Sequence, residues 1–268
     1  MEFSRPASID EAAAIKASDP EAALLAGGTD LMVEVNFGYA SPGHVIGLRR
    51  VDDLAGYDDH RIGAGVTWAR LEDCSHRALA QAARTVGSPQ IRAAGTLGGN
   101  IGTSSPAGDG LPWLAAADAE IEVFSNARGS RRVPWDAFFT GVKRNALEED
   151  EVIVAAVVPE DVPSNQHFAK IGQRSAMVIS TVSACVMRAG DGSVRVALGS
   201  VAPTPLRARK AESLVSGESA PSAALLDEFA RTVSEEVQPI TDHRSTEAYR
   251  RHASGVLARR LLERCLAQ

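Results

Sequence analysis

Cysteine is scarce in this 268-residue chain: Cys74, Cys185 and Cys265 are the only three, and no two lie at metal-ligand spacing. An odd, scattered set builds no disulfide framework, and three thiols cannot hold an iron–sulfur cluster that needs four. All three read as reduced thiols, with Cys185 in a core. The six histidines form neither an H-x-H nor an HExxH pattern, so a metal site is not expected. Positive charge is also in deficit. Lysines and arginines number 28 against 34 aspartates and glutamates, a net charge of −6. That argues against a broad basic surface for nucleic acid or anionic lipid. No apolar run reaches the roughly 20 residues of a membrane-spanning helix, and the start of the chain lacks the hydrophobic core of a secretory leader. The expectation is a cytoplasmic protein with no nucleic-acid and no membrane partner. Hydrophobic residues at 44% supply ample core material for one large domain or two ordinary ones.

What is present is concentrated in residues 95–110. They read Gly95-Thr96-Leu97-Gly98-Gly99-Asn100-Ile101-Gly102-Thr103-Ser104-Ser105-Pro106-Ala107-Gly108-Asp109-Gly110, with no lysine or arginine. Glycine lets a ligand approach the main chain closely, and successive N–H groups in such a turn converge into an anion-binding nest. The hydroxyls of Thr96, Thr103, Ser104 and Ser105 can donate to phosphate or sugar oxygens. Asn100 both donates and accepts, and Asp109 accepts from ribose-type hydroxyls or an amine. By composition alone the stretch is as readily a plain surface loop. Its length favours function, because long structureless loops are uncommon in compact domains. A second glycine pair, Ala26-Gly27-Gly28-Thr29-Asp30, favours it too, since two such loops can grip opposite sides of one diphosphate. An acidic protein must bind phosphate locally, through backbone dipoles, and uncharged glycine loops suit that.

In chain order, residues 9–16 read as a helix capped by Ser8, and 21–25 as a strand running into Gly27-Gly28. Thr29 or Asp30 then caps a helix over 31–35. Strand, glycine turn and helix start follow in the order of an anion site. Strands are expected at 44–48 and 61–67. Gly63-Ala64-Gly65 lacks the third glycine of a dinucleotide fingerprint, Trp68 standing in its place, so a Rossmann site is rejected. Residues 71–86 carry Leu71, Cys74, Ala78, Leu79 and Ala82 at helical spacing. A small-residue helix follows at 111–117, with strands at 121–124, 152–158 and 167–173. Pro159 and Pro163, among acidic neighbours, mark a domain boundary. Beyond them 182–187 and 194–199 alternate around Ala189-Gly190-Asp191-Gly192, a hairpin signature. Helices at 208–216, 223–236 and 245–266 complete an antiparallel sheet backed by helices.

Several of these residues resemble one family. Ala26-Gly27-Gly28-Thr29-Asp30-Leu31, then Thr96-Leu97-Gly98-Gly99-Asn100-Ile101 with Ser105-Pro106-x-x-Asp109-x-x-Pro112, is similar to the FAD-binding (medium) subunit of the molybdenum hydroxylases, the xanthine dehydrogenase and carbon monoxide dehydrogenase relatives. Phe138-Phe139-x-Gly141 and Glu151-Val152-Ile153 resemble the segment that closes its flavin domain. Phe168-x-Lys170-x-Gly172-x-Arg174 resembles the entry to its C-terminal domain, and Asp242-x-Arg244-x-x-x-x-Tyr249-Arg250 with Leu257-x-x-Arg260 resembles its last helix.

The resemblance implies an α+β fold: a two-lobed FAD-binding domain of the vanillyl-alcohol-oxidase/PCMH type over 1–162 (lobes about 1–55 and 56–162), then a C-terminal α+β domain over 163–268. It implies that Leu24, Leu25, Ala26, Gly27, Gly28, Thr29, Asp30 and Leu31, with Gly95, Thr96, Gly98 and Gly99, wrap the diphosphate and ribityl chain of FAD. Asn100, Thr103 and Asp109 would complete the polar contacts, while Val86, Ile153 and Lys170 match places near the flavin or adenine. Val86 stands where some relatives have an aromatic residue and Val142 where a tyrosine is common, so neither stacks on the ring. No residue of this chain is implied as acid, base or nucleophile. The implied role is electron transfer. A molybdenum large subunit with its cofactor oxidises the substrate, an iron–sulfur small subunit with two [2Fe–2S] clusters relays electrons, and FAD here passes them to NAD⁺, O2 or another acceptor. A heterotrimer, or two paired as a heterohexamer, is the implied assembly. The alternative is a self-sufficient FAD-dependent oxidoreductase of the PCMH-type fold, which would turn over as an isolated chain; a non-catalytic subunit without flavin would be colourless.

Overall fold

The fold was obtained as a computed structural model and is described for residues 1–267. Its helices start where local chemistry dictates. Ser8, Thr67, Ser88, Thr96, Ser222 and Thr246 each sit in extended backbone and accept, through the hydroxyl, the N–H three residues on. Each such bond satisfies one donor that the first helical turn would otherwise leave open.

Among the described residues, three larger sheets and one two-stranded pair carry the chain. Glu2–Ser4, His44–Gly47 and Ala23–Leu25 form a parallel sheet with His44–Gly47 in the middle. Arg61–Gly63, Glu151–Val157, Glu120–Ser125 and Gly129–Pro134 follow in that order as an antiparallel sheet. Glu151–Val157 is buried along almost its whole length, as a central strand with both faces covered must be. The third sheet, also antiparallel, runs Asn165–Ile171, Val182–Arg188, Val194–Gly199, Leu206–Arg207. Its alternation splits it between two cores. Phe168, Cys185, Met187 and Ala197 face the core that holds Leu79, Trp113 and Ile121. Ala184, Val186, Val196 and Leu198 face the helices Arg209–Val215, Ala223–Glu236 and Glu247–Leu266. The C-terminal sheet is thereby bolted to the helices Arg77–Thr85 and Leu111–Ala116, which brings the Asp109 stretch beside the Lys170 strand.

Three sequence expectations change. Residues 71–86 are not one helix: Trp68–Leu71 ends, and Arg77–Thr85 begins after a break. The spacing of apolar residues is helical, but long-range partners claim the groups in between. The Ser75 N–H donates to the Tyr57 hydroxyl, and His76 Nε2 donates to the Asp59 carbonyl. Burial lowers the His76 pKa, which suits a neutral ring. The strand expected over 61–67 stops at Gly63, because the Gly65 N–H turns to the Leu54 carbonyl. The stretch 95–110 is not structureless. Leu97–Thr103 is a helix, its glycines having hidden the signal.

One ionic knot fixes the last helix. Arg250, 3% exposed, donates to the carbonyls of Thr181 and Ser200 and to Asp242 at 2.7, 2.9 and 2.8 Å. Burial pushes the Asp242 carboxyl up, but the Arg244 N–H, the Arg250 guanidinium and the Ser245 N–H outweigh it and hold its pKa at about 2. A depressed carboxyl contributes stability that is present above its unfolded value of 3.8 and lost as pH falls through about 2. Asp242→Asn should therefore unfold at lower urea concentration at pH 7 and lose part of the wild-type stability change between pH 4 and 2. Identical urea midpoints across that window for both proteins would contradict the knot's role.

Candidate functional site

The site is built where the parallel sheet ends. Ala23–Leu25 runs out at Ala26, the chain turns through Gly28 at φ +69°, and the helix Leu31–Asn36 begins. A positive φ is where glycine carries no Cβ penalty. Asp30 stands at the helix start but its side chain makes no capping bond, contrary to the expected cap. The N–H groups of Gly27, Gly28, Thr29 and Asp30 find no acceptor among the described residues. Four successive open donors in a glycine turn, half-buried at 27–29 and exposed at Asp30, suit an anion.

The second glycine loop lies against the first. A Cβ on Gly27 would stand 2.0 Å from the Ala94 carbonyl oxygen and 2.8 Å from Gly95 Cα, so the two main chains touch. A Cβ on Gly95 would meet Thr29 Oγ1 at 3.1 Å. Thr103 Oγ1 donates to Asp30 Oδ2 at 3.1 Å, joining the loops at a further point. Behind them Gly98 N–H donates to the Ala64 carbonyl, with no room for a side chain against Ala64. Gly99 N–H is taken by the Thr96 cap, and a Cβ there would meet only Thr96 Oγ1.

Asn100 ties this turn to the rest of the 95–110 stretch. Its Oδ1 accepts from Gly110 N–H at 3.2 Å, while its Nδ2 makes no bond among the described residues. Ile153 lies under the Leu97–Thr103 helix, 3.5 Å from where a Gly102 Cβ would be. Val86 is half-buried against the core at the end of Arg77–Thr85. Leu24, Leu25, Ala26 and Leu31 are all half-buried around the first turn.

Asp109 and Lys170 form a group of their own. Lys170 Nζ donates to Asp109 Oδ2 at 2.6 Å, to Thr85 O at 2.9 Å and to Val178 O at 3.0 Å. Ser180 Oγ donates to the other Asp109 oxygen at 2.5 Å. Burial pushes the Asp109 carboxyl up, against the pull of the Lys170 ammonium and the two hydrogen bonds. Ser180 is absent from the sequence expectations, because no motif singles out a serine seventy-one residues from its partner. Asn145 is absent for the same reason. Its Nδ2 donates to Gly102 O and Ser104 Oγ, holding the strand pair Phe139–Gly141 and Arg144–Asn145 against the glycine helix. Lys143 next to it pairs with Glu34 of the Leu31–Asn36 helix at 2.5 Å. Val142 is 60% exposed.

Chemically, the two glycine turns offer open N–H donors, hydroxyls, one free amide and apolar walls. Among the described residues no cluster of His, Cys, Asp or Glu could hold a metal ion. No helix there is long and apolar enough to cross a membrane.

Comparison with known proteins covers nearly the whole chain. A family model for the FAD binding domain in molybdopterin dehydrogenase matches residues 1–161, and one for the CO dehydrogenase flavoprotein C-terminal domain matches residues 167–265. The chain is 31% identical over 283 residues to the putative xanthine dehydrogenase FAD-binding subunit of Escherichia coli K12, covering 99% of this chain and 96% of that protein. It is 34% identical over 237 residues to the nicotinate dehydrogenase FAD-subunit of Eubacterium barkeri, covering 81% and 80%. Among solved structures, a carbon monoxide dehydrogenase from Hydrogenophaga pseudoflava that lacks the Mo-pyranopterin moiety of its molybdenum cofactor superimposes with a TM-score of 0.91 at 31% identity. The match covers 100% of this chain and 97% of that one.

Proposed function

The chain belongs to the family of FAD-binding subunits of the molybdopterin dehydrogenases, oxidoreductases of the xanthine and carbon monoxide dehydrogenase kind, and we propose that it is the electron-transfer subunit of such an enzyme. In this reading an iron–sulfur small subunit with two [2Fe–2S] clusters delivers electrons, and a molybdenum large subunit with its cofactor oxidises the substrate. The electrons leave this chain for NAD⁺, O2 or another acceptor. The three subunits form a heterotrimer, which can pair into a heterohexamer, in the cytoplasm. Residues 1–162 form the flavin domain and 163–268 the C-terminal domain.

Bound FAD would supply redox chemistry in one- and two-electron steps, which no side chain here provides. The chain's own task is to bind and orient. The N–H groups of Gly27, Gly28, Thr29 and Asp30 hold the diphosphate, with the Thr29 and Thr96 hydroxyls beside them. Hydrogen bonds to a charged group contribute about 1.5–3 kcal/mol each. Four at the low end supply about 6 kcal/mol of the roughly 8 kcal/mol that micromolar binding requires. No lysine or arginine is needed, as an acidic chain demands. Gly99 lets the main chain approach the ligand, Gly95 and Gly98 shape the loop by closing onto Thr29 and Ala64, and Asn100 Nδ2 and Thr103 complete the polar rim. Leu24, Leu25, Ala26, Leu31, Val86 and Ile153 line the apolar walls and exclude water.

The observation that carries the reading is the run of open N–H donors pressed against a second glycine loop. The purified chain should take up FAD one-to-one, seen as flavin absorbance and quenched flavin fluorescence. Purines, N-heterocycles or aldehydes should not bleach the flavin until the partner subunits are added. A chain that ignores micromolar FAD, or one that oxidises such a substrate alone, would overturn the proposal.

A further inference from the structure

One short helix, Pro89–Ala94, separates Val86 from the second glycine loop, and a single guanidinium holds that helix in place. The helix Arg77–Thr85 ends at Val86, and the chain then turns through Gly87 at φ +48°. Gly87 lies so close to Ile91 that a Cβ there would stand 2.7 Å from the Ile91 Cγ2. Ser88 caps the next helix. At the far end of that helix, Ala94 O and Gly95 Cα are the atoms on which Gly27 rests. Gly95 O accepts from the Trp68 N–H at 3.0 Å.

Arg92 lies within this helix. Its Nε donates to Glu72 Oε1 at 2.5 Å, and its Nη1 donates to Val86 O and Gly87 O at 3.2 and 3.1 Å. Glu72 is the residue at which Trp68–Leu71 stops, and its carbonyl accepts from Arg84 of Arg77–Thr85 at 2.5 Å. Three helices therefore meet at Glu72 and Arg92, whose side chains are 28% and 15% exposed. Carbonyls past a helix C-terminus are common partners for a basic side chain. A planar guanidinium holds a carboxylate and two carbonyls at fixed spacing, which an ammonium on a flexible stem does not.

We propose that Arg92 is a positioning residue for the cofactor. With Glu72 it forms a strut that sets the spacing between the Val86 corner, an apolar wall of the cleft, and the Ala94 and Gly95 main chain that supports the first glycine turn. This rests on the reading that FAD occupies the cleft. Arg92 Nη2 makes no hydrogen bond among the described residues, so direct attachment to the diphosphate is the rival role.

The test uses the full chain with Arg92→Met, Arg92→Lys and Glu72→Gln. Amide hydrogen exchange is measured without FAD, then FAD affinity and the visible circular dichroism of the bound flavin. Arg92→Met should speed exchange over 86–95 by roughly tenfold and leave 182–199 unchanged. It should weaken FAD binding by roughly tenfold, as loss of one hydrogen bond to a charged group does, and alter the flavin dichroism at saturation. Arg92→Lys keeps the charge and loses the fork, so it should follow Arg92→Met in all three readouts. Glu72→Gln keeps the shape and one acceptor oxygen. It should shift each readout the same way by less, and it serves if the Arg92 variants do not fold; a Glu72→Gln chain identical to wild type in all three would then overturn the strut. Wild-type affinity in Arg92→Lys would mean that charge alone matters, and lost affinity with unchanged exchange would make Arg92 a direct ligand; either result sinks the proposal. Faster exchange with unaltered affinity and dichroism would reduce Arg92 to a stabilising residue and sink it as well. A wild-type chain that binds no FAD defeats the flavin reading instead, and exchange over 86–95 then decides whether the strut exists.

Discussion

Gly27→Ala is expected to weaken FAD binding by about 100-fold or more while leaving the C-terminal sheet intact. The added methyl would stand 2.0 Å from the Ala94 carbonyl oxygen, 2.5 Å from its carbon and 2.8 Å from Gly95 Cα. All three obstacles are main-chain atoms at the end of the Pro89–Ala94 helix, so no side chain can swing aside. The turn must lift away from the second loop, and its N–H groups move with it. Losing two of the four bonds to the diphosphate, at about 1.5 kcal/mol each, costs about 3 kcal/mol, or roughly two orders of magnitude in affinity. Gly28→Ala makes the control. Its φ of +69° strains an alanine, but its neighbours are Leu25 Cδ1 and Met32 Cγ, each 3.2 Å away and flexible. A milder loss of about tenfold is expected there, since a left-handed residue costs roughly 1–2 kcal/mol. Flavin fluorescence titration of both variants measures the difference. Wild-type affinity in Gly27→Ala would mean that the open donors do not hold the cofactor.

Arg207→Ala should give the largest loss of stability in the chain outside the hydrophobic cores. Arg207 lies in the short edge strand of the C-terminal sheet with its side chain 4% exposed. Its Nε and Nη2 grip both oxygens of Glu212, and its Nη1 reaches across to Ala115 O at 3.0 Å and Asp118 Oδ1 at 2.8 Å. One guanidinium thus joins the C-terminal sheet to the end of the Leu111–Ala116 helix. Removing it leaves the buried Glu212 carboxylate with the Val196 N–H as its remaining donor. Breaking a buried pair on one side costs about 3–5 kcal/mol, which for a chain of this size lowers the melting temperature by roughly 6–20 °C. Arg207→Ala with Glu212→Ala should recover much of that loss, because no charge is then stranded. Thermal unfolding followed by circular dichroism distinguishes the cases. A single variant melting within about 2 °C of wild type would place the pair among those that contribute little.

The parts of this molecule that were legible beforehand are those whose causes are local. Ser8 capping its helix, the hairpin around Gly190-Asp191-Gly192 and the helices of the last sixty residues depend on spacing and turn chemistry within a few positions. The helix hidden at Leu97–Thr103 was not legible. Three glycines depress helix propensity, and only the Thr96 cap and the packing on Ala64 outweigh them. The break between Leu71 and Arg77 has no local signal, because Tyr57 and Asp59, not the neighbouring residues, supply the competing hydrogen bonds. The Gly129–Pro134 strand, nearly all exposed at a sheet edge, shows little apolar alternation to reveal it.

The glycine turns themselves, their lack of lysine and arginine and the absence of cluster-holding cysteines follow from residue types alone, because backbone freedom and thiol count are properties of composition and short spacing. That the two turns touch, that Lys170 closes on Asp109 sixty-one residues away and that Arg207 bridges to Ala115 and Asp118 are matters of packing. The Lys170 and Arg207 contacts exist because two cores on opposite faces of the C-terminal sheet fix the relative placement of segments far apart in the chain, and the turns meet where the parallel sheet ends against the Pro89–Ala94 helix. No local pattern carries that placement.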